Sequence, residues 1–274
     1  MKLPFDPAQL ETKQIFFASK DGTKIPMFVT AKKGLVLDGT HPTILTAYGA
    51  GGVSITPYFP AEAVPWLEHG GVLAVVNVRG GGEYGEAWHL AGKGRKRQTS
   101  LDDFIAAGEA LIASKYTSRT HLGAVGVSGG GFLVAAVLMQ RPELFGAVTP
   151  VAGVHDLLRF QLFGQGAGWQ EDFGHPADAG DFAVLRKISP LHNVRAGTKY
   201  PAVFVVTSDH DVRVAPLHSY KLAAALQAAQ IAPHPIVLRV ETDTGHGGST
   251  RISQTIEQES DIYAFFAREL GLQL

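Results

Sequence analysis

Short, nearly continuous apolar runs recur along the chain and alternate with longer stretches of helical length. Thr43–Tyr48 (TILTAY), Val72–Val78, Leu122–Val127, Gly146–Ala152, Pro201–Thr207 and residues 236–241 are each six or seven residues long. They are rich in β-branched residues and bounded by glycine, proline or polar positions, as strands buried on both faces are. Residues 60–69, a stretch opening at Ser100, Phe132–Met139, Pro216–Gln230 and Ile252–Leu270 have helical length. Gly70-Gly71 closes the first of these, and Pro216 opens the fourth. Ahead of them, residues 14–19 and 25–30 read as β-like runs around Lys20-Asp21-Gly22-Thr23, a hairpin-type turn. Strands alternating with helices predict an α/β fold, a mostly parallel central sheet with helices on both faces.

Two stretches lack a clear period. Arg79–Thr99 carries six glycines and the basic cluster Lys93, Arg95, Lys96 and Arg97. It reads as a long connection packed around a site, with the cluster as a solvated edge. Ser100-Leu101-Asp102-Asp103 then looks like a serine-capped helix start. Residues 155–195 read as irregular, and their Phe160, Phe163, Trp169, Phe173 and Phe182 would supply a pocket wall or lid. There is no internal repeat, low-complexity tract or linker. The expectation is one α/β domain over residues 1–274, with 1–12 as an N-terminal extension or former linker.

Composition removes several function classes. The formal net charge is −1 and 18% of residues are charged, so no global field points to nucleic acid or a membrane surface as partner. No cysteine is present, which excludes thiolate metal sites and cysteine nucleophiles. The N-terminal MKLPFDPAQL lacks the apolar core of a signal peptide, and no apolar run reaches membrane-spanning length. A soluble, cytoplasmic protein is expected.

The candidate chemistry lies at Gly126-Val127-Ser128-Gly129-Gly130-Gly131, between the strand Leu122–Val127 and the apolar helix that follows. A strand turning at once into a helix needs small residues on both sides and leaves one side chain exposed at the tip. Here that side chain is Ser128, above a helix N-terminus whose free N–H groups favour developing negative charge. An α/β hydrolase carries its triad in the order nucleophile, acid, histidine, each just past a strand. Ser208-Asp209-His210-Asp211 follows one strand, and Thr242-Asp243-Thr244-Gly245-His246-Gly247-Gly248 follows the next. His246, flanked by glycines, is the base; either Asp209 or Asp211 is its carboxylate, the other capping the loop. The remaining histidines show no metal-ligand spacing, so neither metal nor cofactor is expected. The oxyanion hole needs the Gly129 N–H and a second donor from the Tyr48-Gly49-Ala50-Gly51-Gly52 loop.

These segments carry a resemblance. With Ser19–Met27, Asn77–Gly85, Ser189–Val194 and Asp209–Val214, the chain from near Phe5 onward is similar to the peptidase domain of the prolyl oligopeptidase family. The resemblance implies Ser128, Asp211 and His246 as the triad, which selects Asp211 as the acid. It further implies Arg213 as the arginine that binds a substrate carbonyl and Trp169 as the ring that stacks on proline. Phe173, Val154 and Val214 would line the same pocket. It implies cofactor-free hydrolysis of short peptides after proline.

Three departures qualify the likeness. The family's oxyanion tyrosine falls on Ala50, so an Ala50 or neighbouring N–H, or the Tyr48 hydroxyl, must act instead, or catalysis weakens. The family's asparagine after the nucleophile is Gly129, and Val53 stands where an aromatic pocket residue is usual. The family also carries a β-propeller ahead of this domain, and this chain starts where that propeller would end. The alternatives are therefore an esterase or acyl-transfer hydrolase on a peptide or ester substrate, and a weakly active isolated domain. Oligomeric state is not legible.

Overall fold

The structure is a computed structural model and describes residues 5–58, 60–246 and 251–273. Met1–Pro4 of the N-terminal stretch, and Gly247 and Gly248 beside His246, lie outside the described residues.

The chain opens with a hairpin. β1 (Leu10–Ala18) and β2 (Lys24–Lys32) pair antiparallel from Leu10↔Lys32 to Ala18↔Lys24. Their turn closes where Asp-Gly predicts it, Ser19 N–H donating to Thr23 O and Thr23 N–H to Asp21 Oδ1. Both strands are longer than their apolar runs, and residues 10–12 of the expected extension belong to β1. β3 (Thr43–Thr46) follows, then α1 (Val64–Glu68), β4 (Val72–Val76), α2 (Glu86–Ala91) and α3 (Gln98–Ala113). β5 (Leu122–Val127), α4 (Gly129–Gln140) and β6 (Ala147–Val151) form the centre. Next come α5 (Gln170–Phe173), α6 (Ala179–Ile188), β7 (Ala202–Ser208), α7 (Leu217–Ala229), β8 (Ile236–Glu241) and α8 (Ile252–Leu270).

The strands form one sheet in the order β1-β2-β4-β3-β5-β6-β7-β8. β1, β2 and β4 pair antiparallel, and every pairing from β4 through β8 is parallel. Alternate side chains of the central strands enter two separate cores. In β7, Val203 and Val205 join α3, α4 and α7 on one face, while Ala202, Phe204 and Val206 join α1 and α8 on the other. This two-sided burial is why the strands read as continuous apolar runs. α4 is buried from Gly129 to Met139, whereas α8 buries only Ile262, Phe266, Ala267 and Leu270, one stripe at helical spacing. Truncating Phe266, which is 0% exposed, would cost about 3–5 kcal/mol. The result is the expected α/β-hydrolase fold.

Both aperiodic stretches contain helices. Within 79–99 lie α2 and a 3₁₀ turn at Gly94–Lys96. α3 begins at Gln98, and Ser100 does not cap it: the residue is buried and its hydroxyl donates to Arg79 O at 2.5 Å. Within 155–195, α5 and α6 form, α6 capped by Asp178 accepting from Asp181 N–H.

Candidate active site

Ser128 sits at the tip between β5 and α4 with φ +58°, a conformation rarely held by a side-chain-bearing residue. Its N–H donates to Val151 O at 2.8 Å, and its carbonyl accepts from Phe132 N–H at 3.0 Å. The neighbouring glycines permit the bend, because a Cβ on Gly126 would overlap the Gly130 carbonyl. Ser128 Oγ lies 3.0 Å from His246 Nε2, and His246 Nδ1 lies 2.7 Å from Asp211 Oδ2. The tautomer with hydrogen on Nδ1 satisfies both contacts: the ring donates to the carboxylate and accepts from the hydroxyl.

Geometry separates the two acids of the 208–211 loop. Asp211 is 3% exposed, and its other oxygen accepts from the N–H groups of Arg213 (2.9 Å) and Val214 (2.8 Å). Asp209 lies toward solvent and binds its own neighbour, His210 Nδ1, at 2.7 Å. That hydrogen bond holds the Asp209 carboxyl below its ordinary range and raises the His210 imidazole. Asp209, His210 and Asp243 bring one ligand atom each within 4.8 Å of one another, all exposed; nothing beyond these side chains marks the group as a metal site.

A cleft of about 200 Å³ opens beside Ser128. Its walls include Tyr48, Ala50, Val53, Gly129, Val154, Trp169, Asp172, Phe173 and Arg213. Phe173 is buried edge-on against Phe132 at 5.2 Å between centroids. The Arg213 guanidinium stands 6.0 Å over the Trp169 ring and donates to Gln165 Oε1 at 3.3 Å. Val214 is not on this wall: it is buried in the core, and its contribution is the N–H that fixes Asp211. Phe182 is exposed and apart from the cleft.

The loop beside Ser128 has few free donors. Gly51 N–H points to Asp172 Oδ1 at 3.3 Å, and Gly52 N–H to Gly80 O at 3.1 Å. The Ala50 N–H and the Tyr48 hydroxyl are in none of the hydrogen bonds recorded among the described residues. Ala50 abuts the elbow so closely that a Cβ on Gly129 would lie 2.8 Å from its methyl group. That contact leaves no room for a Cβ at 129 while the loop keeps this position.

The expected solvated edge is corrected at one position. Arg95 and Lys96 are exposed, but Arg97 is only 1% exposed. Its NH2 donates to Asp172 Oδ2 at 2.5 Å and its NH1 to Gly49 O at 2.9 Å and Gly92 O at 3.2 Å. The guanidinium stacks 4.5 Å from the Phe173 ring centroid. Burial pushes the Arg97 pKa down, and the Asp172 carboxylate opposes that shift. No feature of the sequence singles out Arg97 from its basic neighbours, or Asp172 from the acids of its segment.

Residues 57–273 match the prolyl oligopeptidase family. The chain is 45% identical over 273 residues to a prolyl endopeptidase of Elizabethkingia miricola, covering 99% of this chain and 39% of that protein. A structure from a mechanistic study of two prolyl endopeptidases superposes with a TM-score of 0.97 at 44% identity. It matches over 99% of this chain and 40% of its own. A post-proline cleaving enzyme from Rickettsia typhi gives a TM-score of 0.96 at 37% identity, over 99% and 39%. The chain thus spans about two fifths of the length of the relatives it matches.

Proposed function

The chain belongs to the prolyl oligopeptidase family, and from that premise we propose that it is a serine peptidase cleaving short peptides on the carboxyl side of proline. The observation that carries this reading is the Ser128–His246–Asp211 line, with contacts of 3.0 and 2.7 Å. Ser128 Oγ attacks the carbonyl carbon while His246 Nε2 takes its proton, and the imidazolium is stabilised by Asp211. The tetrahedral oxyanion collapses, the C–N bond breaks, and His246 returns the proton to the departing amine. Water then repeats the sequence on the acyl-enzyme. Asp211, fixed by two backbone N–H groups, keeps the imidazole oriented throughout.

The oxyanion rests on Gly129 N–H and on Ala50 N–H or the Tyr48 hydroxyl, since the Gly51 and Gly52 amides are engaged elsewhere. Each such donor is worth about 3–4 kcal/mol in the transition state. A proline ring would stack on Trp169 beside Phe173 and Val154, with Arg213 holding the preceding carbonyl.

A second reading, an esterase or acyl-transfer hydrolase, is favoured by Ala50, which offers no side-chain donor where acyl transfer develops charge. Esters need less transition-state stabilisation than amides. Turnover of a glycyl-prolyl anilide and a short-chain nitrophenyl ester separates the two. Anilide cleavage that disappears in Ser128→Ala supports the peptidase; ester turnover with no detectable anilide turnover sinks it. Absence of fluorophosphonate labelling at Ser128 would sink both.

A further inference from the structure

The loop expected to supply the second oxyanion donor has one internal tie, Val53 N–H to Ala50 O at 3.1 Å, which leaves the Gly49–Ala50 peptide unheld. Gly49, Gly51 and Gly52 all hold left-handed backbone, at φ +62°, +59° and +66°. Glycine leaves such conformations at little cost, so the direction of the intervening Ala50 N–H has to be set from outside the loop.

A buried arginine and a half-buried carboxylate meet it there. Arg97 NH1 holds the carbonyl of Gly49 at 2.9 Å, and Asp172 Oδ1 accepts the N–H of Gly51 at 3.3 Å. These are the residues on either side of Ala50. Arg97 NH2 and Asp172 Oδ2 pair with each other at 2.5 Å, which joins the two grips. The His89 ring touches Asp172 Oδ1 at 3.3 Å and underlies Gly52. Stability is a poor reason for this arrangement. Arg97 is buried with its Nε unpartnered, and a buried ion pair seldom outperforms apolar residues of the same shape. Asp172 itself lines the cleft together with Trp169 and Phe173.

We propose that Arg97 and Asp172 are positioning residues that clamp the loop on both sides of Ala50 and so aim its N–H at the oxyanion. This rests on Ser128 being the nucleophile. The pair touches no reacting atom; it acts through the backbone of residues 49–51.

The test compares wild type, Asp172→Ala and Asp172→Asn, each normalised to serines titrated with a fluorophosphonate. Asn keeps an acceptor for Gly51 and carries the test should the Ala variant not fold. A peptidyl-prolinal, whose aldehyde forms a hemiacetal oxyanion on Ser128, is compared with the matching peptide acid, which does not. For Asp172→Ala, kcat per titrated site should fall about 10- to 100-fold with KM within roughly threefold. Aldehyde affinity should fall in proportion to kcat/KM while acid affinity holds, and Asp172→Asn should recover part of both losses. Unchanged kcat per titrated site with fewer titratable sites would mean a structural role alone and overturn the proposal. Equal weakening of aldehyde and acid would place the effect in the pocket and also overturn it. A wild type whose Ser128 is labelled but cleaves no anilide is assessed by its labelling rate, which also develops oxyanion charge. A wild type that is not labelled at all removes the nucleophile reading and the clamp together.

Discussion

Two buried arginines flank the same long connection, and they are solvated by the protein in opposite ways. Arg79, 7% exposed, is fully matched. Asp103 takes its Nε and one NH2 hydrogen, and Asp21 and Thr23 take the rest. Asp103 also accepts from Ser19, so this network pins the β1–β2 turn to α3. The two carboxylates outweigh burial and raise the Arg79 pKa. Arg97 has one carboxylate, two carbonyls and an orphaned Nε, and burial lowers its pKa. A satisfied charge holds elements together; an under-satisfied one beside a cleft is retained for what it orients.

The largest expected effect breaks the first half of this contrast. Arg79→Met strands Asp103, 0% exposed, without its cation and should cost about 3–5 kcal/mol in urea unfolding. Activity per titrated serine should stay near wild type; a parallel loss would show that both arginines serve the site. Arg97→Met should divide the other way. It relieves a desolvated charge and leaves Asp172, whose side chain is 18% exposed, with Gly51 and His89. About 1–2 kcal/mol of stability is expected to go, with at least a roughly tenfold loss of kcat.

Acid gives a smaller, sharper test. The hydrogen bond from Arg79 holds the Asp21 carboxyl well below the usual carboxylate range. A depressed carboxylate contributes stability present above its unfolded pKa, near 4, and lost as pH falls below it. Burial pushes His218 and His155 down to about 4 and about 3. The unfolded chain binds those protons from roughly pH 6.5 downward, so overall stability declines earlier, between about pH 6.5 and 4. In wild type the Asp21 contribution should hold through that window and shrink only below about pH 4. Urea melts at roughly pH 7, 5 and 3.5 check the order of events.

Much of the molecule was legible because its signals are local. Doubly buried strands such as Ala202–Ser208 announce themselves by apolar continuity, and the elbow by its glycines. Ser128 and His246 meet past the strands where the chain order puts them, and of the two acids that order left open, Asp211 joins them. What was not legible depends on distant partners. Arg97 resembles Lys96 in sequence, and its partners, Gly49 O and Asp172 with the Phe173 ring, lie far along the chain. Ser100 has the composition of a cap, yet the Arg79 carbonyl captures its hydroxyl. α6 carries its own Asp178 cap, but Gly180 in its first turn hides the helix; the side chain packed over that glycine is Arg95.

The methyl of Ala50 and the bare backbone of Gly129 fit like two teeth of one gear. Any substituent added at 129 must find the methyl at 50 removed or the loop displaced. Side chains larger than glycine at 129 are therefore expected to come with a displaced loop, so a library that varies 129 together with residues 49–52 should return more active variants than one confined to 129.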